Sequence, residues 1–108
     1  MQDPLHELAS CLLAIEAELR GLGWWSADCP AEHRLRSTQP FCVDTLTLTE
    51  WLQWILLPRM KELLEQGAEL PTHSAITEMA EVAYAEQMAI TNSLRRHLKR
   101  FDRLICGS

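Results

Sequence analysis

The stretch that decides the fold is residues 37–60, which read Ser-Thr-Gln-Pro-Phe-Cys-Val-Asp-Thr-Leu-Thr-Leu-Thr-Glu-Trp-Leu-Gln-Trp-Ile-Leu-Leu-Pro-Arg-Met. It begins as an extended segment broken by a proline and continues into the most apolar helix of the sequence. Thr47 and Glu50 fit a capping box, in which each side chain accepts a hydrogen bond from the other residue's backbone amide. The helix is therefore predicted to span about residues 48–66, and Gly67 is predicted to end it in a left-handed conformation.

The first half of this helix has almost no polar face. Its apolar residues are Trp51, Leu52, Trp54, Ile55, Leu56 and Leu57. A helix that is apolar on all sides is contacted on several sides, so we expect it at the centre of the fold. Pro58 has no amide to donate to the carbonyl of Trp54, and its ring clashes with that carbonyl. A kink or an exposed carbonyl is therefore expected near Trp54.

Composition and periodicity indicate one all-α domain that spans residues 1–108. The chain is 47% apolar and 23% charged, and it has four glycines and one tyrosine beside many leucines, alanines and glutamates, which favours helix over strand. Apolar residues repeat at helical spacing in three further segments. We predict a four-helix bundle with helices near residues 4–22, 48–66, 75–87 and 92–106, and with the irregular segment 23–47 laid across it.

Local signals predict where the other helices begin. Asp3 is the expected N-cap of the first helix and Ser74 that of the third. The apolar pattern weakens at residues 89–92, where Thr91 could cap a separate last helix, so a break or bend is predicted there.

Three features of the irregular segment and its surroundings each allow two interpretations. Trp24 and Trp25 either cover the end of the bundle or present an aromatic contact to a partner. Asp44 either accepts hydrogen bonds from nearby amides or pairs with Arg59. The polar and aromatic residues of this region either satisfy the loop backbone and cap helix ends, or form an interaction pocket. The residues predicted to bind a ligand in that pocket are Gln39, Pro40, Phe41, Asp44, Trp51 and Arg59.

The last helix concentrates the positive charge of the chain. Opposite its apolar stripe lie five basic residues, namely Arg95, Arg96, Lys99, Arg100 and Arg103. Residues 95–103 carry a net charge of +4 and the remaining residues −9, within a total of −5. This face is either an ordinary solvated surface or a contact for an anionic partner, which would be RNA or an acidic protein surface.

No catalytic or metal-binding motif is recognisable in the sequence. The four cysteines form no CxxC pair, no two histidines lie four residues apart, and neither a nucleophile elbow nor a glycine-rich phosphate loop occurs. We therefore expect no enzymatic activity, no cofactor and no bound metal. The N-terminus lacks the basic region of a secretion signal, and the apolar runs are too short for a membrane span. We expect reduced thiols in a cytoplasmic protein, with Cys11 and Cys42 in the core.

The central stretch resembles a known family. The matching motifs are Ser37-Thr38-Gln39-Pro40-Phe41, Asp44-Thr45, Glu50-Trp51-Leu52-Gln53-Trp54 and Pro58-Arg59-Met60. They resemble the signature of the YqcC-like proteins, small bacterial proteins classed as a domain of unknown function, and the resemblance covers nearly the whole chain. It implies an all-helical bundle without an established catalytic activity. Family members are often encoded beside a tRNA pseudouridine synthase, usually called pseudouridine synthase C, which suggests an accessory role.

Three functional hypotheses follow from the residues and the resemblance together. The first is a non-enzymatic accessory or adaptor protein linked to tRNA pseudouridylation, whose basic last helix contacts tRNA or the synthase. The second is a small-molecule or peptide-binding module that uses the Pro40–Asp44 region and Pro58. The third is a self-associating protein in which Trp24-Trp25 or the apolar helix completes its burial in a homodimer.

Overall fold

The structure is a computed structural model that describes residues 4–107 of the chain. Its α-helices are α1 (Pro4–Gly21), α2 (Glu32–Leu35), α3 (Leu48–Trp51), α4 (Leu57–Gln66), α5 (Ile76–Ala83) and α6 (Asn92–Cys106). A π-helical turn (Leu52–Leu56) joins α3 to α4, and two 3-10 turns lie at Pro40–Cys42 and Ala85–Gln87. No strand occurs between residues 4 and 107, so the predicted all-α class is confirmed.

Residues 48–66 form one continuous helix, called the central helix below, because the backbone stays helical through the π-helical turn. The predicted capping box is present: the Glu50 amide donates to the Thr47 hydroxyl, and the Thr47 amide donates to the Glu50 carboxylate. Gly67 ends the helix in the predicted left-handed conformation, with a φ of 62°. The central helix, α1 and α6 lie within one residue of their predicted bounds, whereas α5 ends at Ala83 and a 3-10 turn occupies the rest of its predicted range.

The core forms where α6 packs against both α1 and α5, with α1 also against α4. The buried side chains of α1 are Leu8, Cys11, Leu12, Ile15 and Leu19. Those of α6 are Leu94, Leu98, Phe101 and Ile105. Each large apolar side chain buried in this way contributes roughly 1.5–3 kcal/mol to stability.

The π-helical turn changes the register of the central helix. The Leu57 amide donates to the carbonyl of Leu52, five residues earlier, instead of the usual four. Because Pro58 has no amide and its ring would clash with the carbonyl of Trp54 in a straight helix, the wider turn removes this conflict. Both Leu56 and Leu57 are buried, four and five residues after buried Leu52, so the core side of the helix widens at the π-helical turn.

As a result, the central helix is not buried on all sides as expected. Trp54 and Ile55 are only half-buried, whereas the polar Gln53 is buried. The Gln53 side-chain amide donates to the Ser26 carbonyl at 2.6 Å and accepts from the Ser26 amide at 2.9 Å. Gln53 thereby fastens the segment that follows α1 to the central helix, and its buried polar atoms are satisfied.

A second set of contacts holds the rest of the irregular segment. Arg34, on the short helix α2, donates from Nε to the Thr45 carbonyl at 2.9 Å and from Nη2 to the Glu50 carboxylate at 2.9 Å. The Thr45 hydroxyl donates in return to the Arg34 carbonyl. A short helix therefore interrupts the irregular segment and is tied to the start of the central helix.

The start of α5 is capped from another helix. Ser74 does not cap it as predicted, because the Ser74 hydroxyl donates to the carboxylate of Asp102 on α6. The same carboxylate accepts from the amides of Ile76 at 3.1 Å and Thr77 at 2.9 Å, and from the Thr77 hydroxyl. Burial tends to raise the pKa of Asp102, but these hydrogen bonds outweigh it and hold the pKa below its ordinary value.

The predicted break before the last helix is confirmed. Residues 88–91 form turns, and α6 begins at Asn92. Thr91 occupies the N-cap position, but its hydroxyl donates back to the Gln87 carbonyl at 2.8 Å instead of accepting from an α6 amide. The predicted cap at Asp3 lies outside the described residues.

The π-helical register predicts unequal costs for two neighbouring truncations. Leu57→Ala should lower the free energy of unfolding by about 2–5 kcal/mol, because Leu57 is buried in the core. Ile55→Ala should cost less, roughly 1 kcal/mol, because Ile55 is half-exposed. Urea denaturation of both variants measures the difference. A loss at Ile55 as large as that at Leu57 would mean that the helix continues in a regular α register.

The Asp102 cap predicts a pH-dependent contribution to stability. Asp102→Asn should lower the free energy of unfolding at neutral pH by about 1–3 kcal/mol, because it replaces a charged acceptor. The pKa of Asp102 is lower in the folded protein than its ordinary value of about 3.8. The contribution of the carboxylate to stability is therefore complete above pH 3.8 or so, and it is lost as the pH falls through the pKa of the folded state. The difference in free energy of unfolding between the wild type and Asp102→Asn should therefore become smaller as the pH is lowered.

The matched control for this prediction is Asp28→Asn, because Asp28 is exposed and its carboxylate makes no hydrogen bond within the described residues. Its unfolding curves should follow the wild type at every pH. A wild type and an Asp102→Asn variant that differ equally at neutral and acid pH would contradict the capping role.

Candidate functional site

A groove of about 810 Å³ opens on one side of the central helix, and it is called the aromatic groove below. One wall is the loop from Leu35 to Cys42, the second is the π-helical turn with its flanking residues, and the third is the loop from Pro71 to Ala75. Its floor consists of core side chains, namely Leu56, Met60, Ile76, Phe101 and Ile105. A cavity of this volume is within the range of sites that bind small molecules.

The structure brings four of the six predicted binding residues to this groove. The lining includes Gln39, Phe41, Trp51 and Arg59. Pro40 and Asp44 are not part of the lining. Asp44 is exposed and its carboxylate accepts from the Ser37 hydroxyl. Within residues 4–107 it neither accepts from a backbone amide nor pairs with Arg59, so neither alternative considered for Asp44 is found.

The loop that carries Phe41 has an unusual backbone. Phe41 and Cys42 have φ values of 59° and 50°, a left-handed conformation that costs roughly 1–2 kcal/mol for a residue with a side chain. Backbone hydrogen bonds hold the turn: the Cys42 amide donates to the Gln39 carbonyl, and the Leu46 amide donates to the Cys42 carbonyl. The conformation places the Phe41 ring edge-on to Trp51, with centroids 4.9 Å apart and planes at 70°. No glycine marks this turn, so the sequence carried no signal for it.

Trp54, which also lines the groove, contains an unsatisfied donor. Its indole nitrogen is shielded from solvent and has no hydrogen-bond partner among the described residues. A buried donor without an acceptor costs about 1–3 kcal/mol, so such groups need an explanation.

Arg59 is the basic residue at the groove that lacks an internal partner. Its side chain is exposed, and within residues 4–107 it makes no hydrogen bond or ion pair. The other basic residues before α6 form ion pairs, namely Arg20 with Glu16, Arg34 with Glu50, Arg36 with Glu32, and Lys61 with Glu16. A carboxylate that entered the groove could therefore bind the Arg59 guanidinium without displacing an existing partner.

The second candidate surface is the predicted basic face of α6, formed by Arg95, Arg96, Lys99, Arg100 and Arg103. Arg95 is partly used within the fold, because it donates to the Thr91 hydroxyl at 3.1 Å and to the Met88 carbonyl at 2.7 Å. Arg96 donates to the Ser93 hydroxyl at 3.3 Å. The other three are exposed and form no ion pair with any residue that the structure describes.

The two adjacent tryptophans after α1 are both used inside the fold. Trp24 packs against Tyr84 with ring centroids 5.4 Å apart, and Trp25 lies under Arg20 at 4.5 Å. Both rings are half-buried against the core. These contacts favour the interpretation that the pair covers one end of the bundle.

The thiols support structural roles for two cysteines. Cys11 and Cys42 are buried as predicted, and the four cysteines are unpaired. Burial raises the pKa of the Cys11 thiol, and the positive charge of Arg100 lowers it by less. The thiol donates to the His97 carbonyl at 3.3 Å. A buried thiol of raised pKa is unreactive.

Across residues 4–107, no three His, Cys, Asp or Glu side chains are grouped as they would be around a metal ion. Over the same residues, each helix is too short or too polar to cross a membrane.

Comparison with known proteins identifies the family. Residues 7–104 match the model of the family DUF446, described as tRNA pseudouridine synthase C. The chain is 40% identical over 93 residues to the protein YqcC of Escherichia coli K12, a match that covers 86% of this chain and 85% of YqcC. It is 39% identical over 72 residues to a protein of Haemophilus influenzae, covering 67% of this chain and 68% of the relative.

A third relative is much longer. The chain is 41% identical over 66 residues to a protein of Pectobacterium carotovorum named tRNA pseudouridine synthase C, which covers 61% of this chain but 18% of that protein. Among solved structures, the solution NMR structure of Escherichia coli YqcC matches with a TM-score of 0.84 and 35% identity, over 97% of this chain and 90% of that one. The chain belongs to the YqcC-like family.

Proposed function

We propose that this chain is a non-enzymatic accessory or adaptor protein that acts with a tRNA pseudouridine synthase. The observation that carries the proposal is the Pectobacterium protein, which is named a tRNA pseudouridine synthase C and contains a segment similar to this chain in 18% of its length. Joining two modules in one chain keeps them at a high effective concentration. We infer that the surfaces of this module are what bring it into contact with the synthase.

Three residues with shifted pKa values have a structural cause for the shift. Asp102 has a lowered pKa because it caps α5, and the raised pKa values of Cys11 and Tyr84 follow from burial. Each of these shifts is explained by packing or capping within the bundle, and none of the three residues lines the aromatic groove. The proposal therefore assigns the chemistry to the synthase and binding to this chain, in the cytoplasm.

The basic face of α6 is the proposed contact surface. Its cations lie on the side of the helix opposite Leu94, Leu98 and Phe101, which are buried. The rest of the chain carries a net charge of −9, so an anionic partner is attracted to this face and repelled elsewhere. The face bears no aromatic residue, so it would contact phosphates of RNA or carboxylates of the synthase, and not bases.

Reversing two charges on the basic face should weaken recovery of the partners. We expect Arg96→Glu with Lys99→Glu to retain about a tenth of the wild-type binding in a pull-down with tRNA and a tRNA pseudouridine synthase C, because both residues are exposed. Arg95 is left unchanged because it holds the turn before α6. Separate arms with synthase alone, tRNA alone and both together identify which partner meets the face.

The matched control is Arg36→Glu with Lys61→Glu, which changes the net charge equally at exposed positions outside α6. It should recover the partners as the wild type does. Equal losses in both double variants, or no recovery of either partner by the wild type, would contradict the proposal.

If the face contacts tRNA phosphates, the salt dependence of binding reports how many. Lys99→Gln and Arg100→Gln should each lower the slope of log K against log salt concentration by about one, because each removes one phosphate contact. A titration of labelled tRNA at several salt concentrations measures the slope. A slope unchanged in both variants would show that these side chains do not meet RNA.

A further inference from the structure

We propose that the aromatic groove is a docking site for a peptide segment of a partner protein that presents an apolar side chain next to a carboxylate. This inference goes beyond the adaptor role, since neither tRNA nor the synthase is needed for it. It rests on the shape of the groove, on its strained wall, on the free charge of Arg59 and on the unsatisfied indole of Trp54.

The groove gives an apolar side chain direct access to the core. Its walls present the rings of Phe41, Trp51 and Trp54, which are all half-buried. Its floor includes Phe101 and Met60, which are almost fully buried and therefore firmly packed. An apolar group that fills this space loses contact with water on several sides, which is how hydrophobic anchors of peptides bind.

The backbone conformation that places Phe41 in the groove wall is energetically unfavourable. Two consecutive residues with side chains, Phe41 and Cys42, adopt the left-handed conformation. Backbone strain of this kind persists where the surrounding structure enforces it, and it concentrates at sites that bind ligands. Here the strain sets Phe41 against Trp51 at the mouth of the groove, so the aromatic wall exists before any ligand arrives.

The charges of the groove select an anionic partner group. Arg59 is exposed at the groove and has no partner between residues 4 and 107, and His73 lies on the opposite loop. Glu62 is also part of the lining, but its carboxylate accepts from the side-chain amide of Gln66 at 3.2 Å. Glu62 keeps its negative charge, since the Gln66 amide is neutral, but no ion pair joins it to Arg59 among the described residues. The donors of the Arg59 guanidinium therefore stay available to a carboxylate, which matches them in two parallel hydrogen bonds.

Trp54 adds a second unsatisfied group on the same wall. Its indole N–H lacks an acceptor among the described residues, although the ring borders the groove. Because the nitrogen is shielded from solvent, a peptide carbonyl or carboxylate reaches it only if binding reorients the ring, and the NMR readout below tests this step. The cost of leaving the donor unpaired is then recovered on binding.

The position of the groove argues for a peptide and against RNA. Phe101 and Ile105 lie at the groove floor, so the groove is on the buried side of α6 and the basic face is on the other side. A single unpaired arginine cannot follow a phosphate backbone, which requires several cations. The rim is formed by separate loops and is open to solvent, which suits an extended segment.

The test is selection of random short peptides, displayed on phage, against the immobilised full chain, followed by titration of synthetic peptides. We expect enriched sequences to place a leucine or an aromatic residue beside Asp, Glu or the terminal carboxylate. Arg59→Glu should weaken their binding about tenfold or more, and Arg59→Lys should weaken it less. Lys61→Glu is the control, because Lys61 is exposed on the same helix but outside the groove.

A second readout is the indole N–H signal of Trp54 in the NMR spectrum, identified by its loss in Trp54→Phe. Peptide binding should shift this signal to the frequency of a hydrogen-bonded indole and leave the Trp24 and Trp25 signals in place. No enriched sequence, enrichment without a carboxylate, equal binding by Arg59→Glu, or an unmoved Trp54 signal would each overturn the proposal. Binding of small aromatic carboxylates without any binding of peptides would overturn the assigned occupant.

The two proposals fail separately. The peptide titration contains neither tRNA nor synthase, so its failure leaves the adaptor role intact. Conversely, a basic face that binds nothing does not change the expected effect of Arg59→Glu on peptide binding.

Discussion

The organisation of this fold depends on the backbone N–H group that Pro58 lacks. Pro58 cannot continue the hydrogen-bond pattern of a regular helix, and the chain responds with a π-helical turn in which Leu57 donates five residues back to Leu52. That turn keeps Leu48, Leu52 and Leu57 on the core side although their spacing is uneven. It also directs Trp54 and Ile55 to the surface, where they become a wall of the aromatic groove. Core packing and the candidate site are thus two consequences of the same local constraint.

What the sequence predicted correctly was encoded locally. The capping box at Thr47, the glycine stop at residue 67 and the basic face of α6 each depend on residues within a few positions of one another. The errors concern partners distant in sequence or conformations without a marker residue. Asp102 replaces Ser74 as the cap of α5 from a position 26 residues beyond Ile76, and no local pattern indicates that contact. The left-handed turn at Phe41 contains no glycine, and the only sequence trace of the π-helical turn is a proline, so the shape of the groove could not be foreseen. Four of the six residues predicted to bind a ligand line the groove, and their binding role stays a prediction.

Two separate surfaces of the molecule remain available to bind partners. The basic face of α6 offers unpaired cations on the outside of the bundle, while the groove offers aromatic rings and one unpaired arginine beside the central helix. The core side of α6, represented by Phe101, separates them. An adaptor needs two such surfaces, because it has to hold two partners without making them compete for one site. The similarity to a segment of a longer protein named as a synthase agrees with a module that acts beside an enzyme.

The central claim of the proposed function is that tRNA or the synthase meets the basic face of α6. The most direct measurement is the NMR spectrum of isotopically labelled protein before and after addition of unlabelled tRNA and a tRNA pseudouridine synthase C. The account predicts that the largest changes fall on the Lys99, Arg100 and Arg103 region of α6, and that the exposed face of α1 around Leu13 is unchanged. Changes confined to α1, or a spectrum that does not change at all, would contradict it.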